Sequence, residues 1–148
     1  MKFTIGFERE DAKKLHENWD EILTNQKWSE GKFTQMFEEK WAAHNSLPSV
    51  AFSSWGGAAL AALEFFNLKG KTVLCPSNTF MATPLSVIKA GGKVEFVDCN
   101  RDDLCISFED LKKKVEEHKP AAVWVVHIGG HIAFEIEKIA RFCKEEGI

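Results

Sequence analysis

The spacing of apolar residues divides the chain into a helical opening and a longer part in which strands and helices alternate. Apolar residues recur every three or four positions in two early segments, which predicts amphipathic helices over Glu8–Leu23 and Phe33–His44. Short apolar runs then predict four strands, at Ser49–Phe52, Thr72–Cys75, Lys93–Val97 and Ala121–His127. Helical patterns follow these strands, at Gly57–Asn67, Thr79–Ala90, Ser107–His118 and Ala133–Glu146.

This alternation predicts the fold class. Strands that alternate with helices form βαβ units, whose strands lie parallel in a sheet covered by helices. The last three predicted strands are rich in Val and Leu without regular polar positions, which is typical of strands buried on both faces. We therefore predict an α/β protein with three α/β/α layers around a mainly parallel sheet. Gly91 and Gly92 are predicted to end one helix, and Ser107 to cap the next.

Composition narrows the possible partners. The chain has 148 residues, 45% of them hydrophobic and 28% charged, which is typical of one globular domain. A net charge of −3 argues against nucleic acid or an anionic membrane as the main partner. No apolar run approaches the length of a membrane span, and the four cysteines form no CxxC pair. A reduced, cytoplasmic setting with buried or incidental thiols is the resulting expectation.

The candidate site lies where the strands end, because ligands of open parallel sheets collect beyond the carboxyl ends of the strands. Four segments follow the predicted strands, at 53–57, 76–80, 98–100 and 128–131. In the first, Gly56 and Gly57 begin a helix, whose unpaired N–H groups favour an anion. In the second, Phe80 could offer an aromatic face beside that anion. Taken alone, the glycine pair also fits an ordinary tight turn, and Phe80 also fits a core position.

Other polar residues at this edge have equally ordinary alternatives. Asp98 could cap a loop or belong to the site, and His127 could be a structural histidine or a base. His127 and His131 are four residues apart, but Gly129 and Gly130 prevent the rigid helix on which two histidines bind zinc, so no metal site is predicted. No Ser-His-Asp or Cys-His spacing is recognisable.

Taken together, three core segments resemble one family in order and spacing. They are "AFSSWGGAALAAL", "CPSNTFMATPLSVIKAGGKVEFVDCN" and "AAVWVVHIGGH", and the earlier "NQKWSEGKFTQMFEEKWAAH" is similar to the same family's opening half. The chain resembles the sugar-nucleotide aminotransferases of the DegT/StrS type, which are pyridoxal-phosphate (PLP) enzymes of fold type I. The most specific motif is the Thr–Phe–x–Ala–Thr loop that begins at Thr79.

The resemblance implies roles for five residues at a cofactor site. Gly56 and Gly57 would give backbone N–H groups to the phosphate, with Trp55 in the same turn. Phe80 would stack on the pyridine ring, and His127 would lie at the floor of the site. The turn departs from the family pattern, because Trp55 stands where a small hydroxyl or amide residue is usual and Gly57 where threonine is usual.

The resemblance also implies an organisation for the whole chain. Residues 1–148 would be the amino-terminal portion of the PLP-binding large domain, with a helical lead-in at 1–45 and an incomplete α/β core at 46–148. Trp28, Ser29 and Gly31 would lie near the substrate entrance. The lysine that forms the Schiff base with the cofactor and the acid that faces its pyridine nitrogen would both follow Ile148, so this chain alone would be inactive.

The implied reaction of the intact protein is the transfer of an amino group from an amino acid to a nucleotide-linked keto sugar. Such a reaction serves polysaccharide or deoxyaminosugar biosynthesis, and a dimer with shared sites is expected. Two alternatives stay open, namely a PLP-dependent sugar dehydratase of the same fold and a non-catalytic binding module. An unfinished parallel sheet also exposes an edge, which favours a homo-oligomer.

Overall fold

The computed structural model describes residues 6–148, which belong to two units, Met1–Ala51 and Phe52–Ile148. The boundary lies six residues after the division at 45/46 expected from the sequence. None of the helices in residues 6–148 combines the length and apolar character needed to cross a bilayer.

The first unit contains the two predicted helices, α1 (Arg9–Asn25) and α2 (Lys32–Asn45). Each ends at a residue in the left-handed region, Gln26 after α1 and Ser46 after α2, whose N–H groups bond back to the last turn. An ion pair of 2.9 Å between Lys32 Nζ and Glu21 Oε2 links the two helices.

The strand predicted at Ser49–Phe52 is wrong, because these residues form no ladder. The N–H of Ala51 donates instead to Glu38 Oε1 over 2.8 Å, and Ser49 Oγ donates to the carbonyl of Leu47. The Ala51 N–H, which a ladder would pair with a neighbouring strand, is thus taken by a side chain of α2. The candidate phosphate turn is therefore preceded by an irregular segment rather than by a strand.

The second unit alternates strands and helices as predicted. Its elements in chain order are α3 (Trp55–Phe65), β1 (Thr72–Pro76), α4 (Ala82–Lys89), β2 (Lys93–Val97), α5 (Phe108–His118), β3 (Ala122–Val123), a 3-10 turn (Ile128–Gly130) and α6 (Ile136–Glu146). The three strands form a parallel sheet in the order β2-β1-β3, with Val73 opposite both Val94 and Ala122.

Helices cover both faces of this sheet, which confirms the three-layer prediction. The side chain of Leu74 packs on one face with residues of α5 and α6, among them Leu111 and Ile139. Its neighbours Val73 and Cys75 pack on the opposite face with α3 and α4. This alternation follows from the pleat of a strand, and it makes β1 the shared centre of both cores. Burial raises the pKa of the Cys75 thiol to about 12.

Several turn predictions are confirmed. Gly91 has a φ of 77° just after α4, and a Cβ at Gly92 would lie 2.9 Å from Val87 Cγ1, so neither position suits a larger residue. The Ser107 hydroxyl accepts the N–H of Asp110 and caps α5. Lys119, in the left-handed region, ends that helix before Pro120.

The fourth predicted strand is much shorter than expected, since only Ala122–Val123 of the predicted 121–127 forms a strand. One more bond, from the Trp124 N–H to the Leu74 carbonyl, extends the pairing. The next hydrogen bond between β1 and β3 would need an N–H from Pro76, which proline lacks. The pairing of these two strands therefore stops there. The chain beyond Trp124 therefore continues without strand pairing.

A buried carboxylate holds the loop after β2 to the segment before α6. Asp103, with only 3% of its surface exposed, accepts the N–H of Cys105 over 2.9 Å and the N–H of Phe134 over 2.8 Å. Burial alone would raise the pKa of Asp103, but these two hydrogen bonds, a side-chain hydrogen bond from Asn100 and the nearby His131 together hold the pKa below its ordinary value.

Because its pKa is lowered in the folded state, Asp103 stabilises the fold above the ordinary carboxyl pKa, and this contribution is lost as the pH falls through the folded pKa. Asp103→Asn should lower the free energy of unfolding by about 1–3 kcal/mol at pH 7, since one buried N–H loses its acceptor. It should also reduce the acid dependence of the urea midpoint. Asp102→Asn, the same charge change at an exposed neighbour, is the control, and equal behaviour of the two variants at every pH would contradict this role.

Candidate functional site

A cleft of about 690 Å³ opens at the carboxyl end of the sheet. Three stretches of the second unit line it: the start of α3, the loop between β1 and α4, and the chain that leaves β3. Of the residues predicted for a cofactor site, Trp55, Gly56, Phe80 and His127 line this cleft, whereas Gly57 does not.

The start of α3 is organised by a serine cap. Ser54 is the N-cap residue, and its Oγ accepts the N–H of Gly57 over 3.2 Å. The Gly57 N–H, expected from the resemblance to face a phosphate, is therefore paired within the protein. The N–H groups of Trp55 and Gly56 come before the first helical hydrogen bond and have no partner inside the helix. A Cβ at Gly56 would meet only Ser54 Oγ, at 3.9 Å, so packing does not require glycine there.

Aromatic rings form much of the cleft wall. The Trp55 and Trp124 rings lie 5.6 Å apart between centroids, tilted by 55°. Phe80 stands 78% exposed at the end of the β1–α4 loop and is available to a ligand. The Trp124 Nε1 atom is buried without a hydrogen-bond acceptor among the described residues.

Hydrogen bonds fix the loop that carries Phe80. The Asn78 side chain donates to the Leu104 carbonyl over 3.1 Å, and the backbone N–H of Asn78 donates to Cys99 Sγ. Thr79 Oγ1 lies 2.8 Å from Thr83 Oγ1. α4 begins after this loop, at Ala82 rather than at the predicted Thr79.

The two histidines make separate hydrogen bonds. His127 Nδ1 accepts the N–H of Ala133 over 3.1 Å, which leaves Nε2 as the ring nitrogen that can face the cleft. His131 Nε2 lies 2.8 Å from the Asp103 carbonyl, to which it donates, and 3.7 Å from Cys105 Sγ. Because Nε2 carries the proton that it donates to this carbonyl, it has no lone pair with which to take a proton from the Cys105 thiol.

The charge of the cleft is low. Its lining residues within the described chain include no lysine, arginine, aspartate or glutamate, and His127 is the single titratable side chain among them. Asp98 is not among them either, and its backbone is engaged by Asp110 and Ser107. A ligand would thus meet aromatic rings, hydroxyls and backbone N–H groups.

The predicted substrate residues lie in the first unit. Trp28, Ser29 and Gly31 line a groove of about 90 Å³ between the end of α1 and the start of α2. The ion pair of Glu21 and Lys32 lies in the same groove. Trp28 is largely exposed there.

Comparison with known proteins decides the family. A model described as the DegT/DnrJ/EryC1/StrS aminotransferase family matches residues 9–148. The chain belongs to this family. The resemblance stated from its motifs is thereby confirmed, and so is the fold type I class, because the solved aminotransferase structures of this family share the fold.

Individual relatives agree with that assignment. The chain is 30% identical over 122 residues to a GDP-perosamine synthase of Vibrio cholerae, covering 81% of this chain and 33% of the relative. It is 31% identical over 124 residues to a dTDP-4-dehydro-2,3,6-trideoxy-D-glucose 4-aminotransferase of Saccharopolyspora spinosa, covering 80% and 31%. The chain thus spans about a third of the length of these curated relatives.

A solved structure of different chemistry shows the same fold. It is an E. coli GDP-4-keto-6-deoxy-D-mannose-3-dehydratase with bound hydrated PLP, and it superposes with a TM-score of 0.81 at 19% identity. The match covers 95% of this chain and 37% of that one. Because a dehydratase shares the fold of this aminotransferase family, the fold alone does not distinguish the two reactions.

Sequence reasoning missed Trp124, although it lines the cleft and packs against Trp55. The available signal was the position of this large aromatic residue in a strand otherwise rich in Val and Ala. The early end of β3 brings it to the edge of the sheet, and that end depends on Pro76 of the neighbouring strand.

The hydrogen bond between His127 and Ala133 leads to a stability prediction. Ala133 is buried, so His127→Ala should leave the Ala133 N–H without an acceptor. The free energy of unfolding should fall by about 1–3 kcal/mol. His127→Asn offers an oxygen near the former Nδ1 position and should recover most of that loss. Urea denaturation measures both. If the Asn variant is as unstable as the Ala variant, the histidine contributes through ring packing instead.

Proposed function

We propose that this chain supplies one wall of the PLP site of a sugar-nucleotide aminotransferase. The observation that carries the proposal is the cleft at the carboxyl end of the sheet. Gly56 and Phe80, far apart in sequence, both line that cleft. Membership of the aminotransferase family supports the same reaction class.

The residues of the cleft suit the cofactor in three respects. Its volume of about 690 Å³ accommodates a small planar ring with one phosphate. The unpaired N–H groups at the start of α3 would face the phosphate, and they come from Trp55 and Gly56 rather than from Gly57. The exposed Phe80 ring would lie against the pyridine ring, and His127 would border the site where the chain leaves β3.

When bound, the cofactor supplies an electron sink for amino-group transfer. The residues of this chain contribute binding and orientation: backbone N–H groups hold the anion, and aromatic side chains fix the plane of the ring. No lysine lines the cleft among the described residues, so none of them is placed to anchor a carbonyl group covalently. We therefore propose that the anchoring lysine and the acid facing the pyridine nitrogen lie outside these 148 residues.

On this proposal, the chain is the amino-terminal portion of the PLP-binding domain, and it does not transfer amino groups alone. The relatives named above support a nucleotide-linked keto sugar as the amino acceptor. An amino acid would be the donor, and Trp28, Ser29 and Gly31 would contact the substrate. We further propose that the intact protein is a homodimer that acts in polysaccharide or deoxyaminosugar biosynthesis.

Binding of pyridoxine 5′-phosphate to the 148-residue chain tests this proposal. This probe has no aldehyde and therefore cannot react with surface lysines. Equilibrium dialysis should show saturable binding of one molecule per chain. Phe80→Ala should weaken it about three- to tenfold through the lost ring contact. Gly56→Ala should weaken it about twofold, because a Cβ would stand beside the two free N–H groups that face the phosphate.

The control is Phe65→Ala, which removes an aromatic ring at the end of α3. This residue is 83% exposed and lies outside the cleft. It should bind like the unmodified chain. Thermal unfolding should show that Gly56→Ala folds normally, since its Cβ has room. Absent binding, or equal losses in Phe65→Ala and Phe80→Ala, would refute the cleft as the cofactor site.

A further inference from the structure

The cleft is poorly equipped to hold a phosphate by charge. None of its lining residues within the described chain is a lysine or an arginine, and the Gly57 N–H is taken by Ser54 Oγ. Hydrogen bonds between neutral donors and a charged acceptor remain available, but pairs that include a cationic donor are stronger and more directional. A phosphate in this cleft would therefore add less affinity than in a site with a cationic side chain.

The same cleft is well equipped to hold an aromatic ring. Trp124 is partly buried against the core residues beneath α3, so its position is fixed by packing. The Trp55 ring packs against the Trp124 ring, with 5.6 Å between their centroids, and 49% of the Trp55 surface remains exposed. Phe80 adds a third ring to the lining, and its surface is 78% exposed. Large rings with few rotatable bonds bury much apolar area when they stack on a planar ligand.

Trp55 links these two properties, because it stands at the first position of α3, next to the free N–H groups. A small hydroxyl residue there would offer a donor to an anion. Tryptophan offers no hydroxyl and instead extends the aromatic surface of Trp124 into the cleft. One residue thereby weakens the polar end of the site and strengthens its aromatic end.

We propose that Trp55 is a specificity-determining residue that makes this cleft select the heteroaromatic ring of its ligand rather than the phosphate. The ligand class is a planar pyridine of the pyridoxal type, bound with similar affinity with or without its phosphate. This inference rests on the proposed cofactor site, and it concerns which part of the ligand supplies the affinity.

Two non-covalent probes test it, pyridoxine 5′-phosphate and pyridoxine, with dissociation constants from equilibrium dialysis at fixed ionic strength. The unmodified chain should prefer the phosphate ester by less than about threefold. Trp55→Ser should bind pyridoxine about three- to tenfold more weakly, through the lost ring contact. The same variant should prefer the phosphate ester over pyridoxine at least about ten times more strongly than the unmodified chain does, through the new hydroxyl donor. Trp55→Phe should keep the low phosphate preference.

The outcomes separate the two proposals. A strong phosphate preference in the unmodified chain, unchanged in Trp55→Ser, overturns the specificity role while leaving the cofactor site intact. Binding of neither probe overturns both. Phe65→Ala controls for the general loss of an exposed aromatic ring, and it should change neither dissociation constant. Thermal unfolding checks that Trp55→Ser remains folded, which is expected because Trp55 is half exposed.

Discussion

The parallel pairing of β1 with both of its neighbours is the constraint on which the second unit depends. β1 is buried on both faces, with Leu74 in one core and Val73 and Cys75 in the other. Helices cover each face because the strand between them has no polar side to present to water. Removing β1 would therefore separate the two cores from each other.

The same strand also creates the site, through the way it ends. Pro76 stops the pairing with β3, and the chain after Trp124 lines the cleft at the end of the sheet. The loop after Pro76 carries Phe80 to that end, where Trp55 and Trp124 stand side by side. The ends of β1 and β3 thus place Phe80 and Trp124 at the cleft, and the start of α3 adds Trp55.

Periodicity and turn chemistry predicted the second unit well, because each of its buried strands and amphipathic helices carries its own local pattern. β2 at Lys93–Val97 agrees residue for residue. The failures have non-local causes. The run at Ser49–Phe52 is apolar enough for a strand, but Glu38 accepts its backbone N–H. The residues proposed to hold the cofactor near Gly56 were suggested by family motifs. The pairing of Gly57 with Ser54 and the contact of Trp55 with Trp124 depend on the folded backbone.

The most direct test asks whether one ligand contacts the start of α3, the β1–α4 loop and the end of β3 together. In a two-dimensional NMR titration with pyridoxine 5′-phosphate, the amide signals of Gly56 and Phe80 should shift along with the indole N–H signals of Trp55 and Trp124. The amides of Phe65 and Val115, outside the cleft, should stay in place. Unmoved indole signals at Trp55 and Trp124 in the presence of bound ligand would contradict the central claim that this aromatic cleft is the cofactor site.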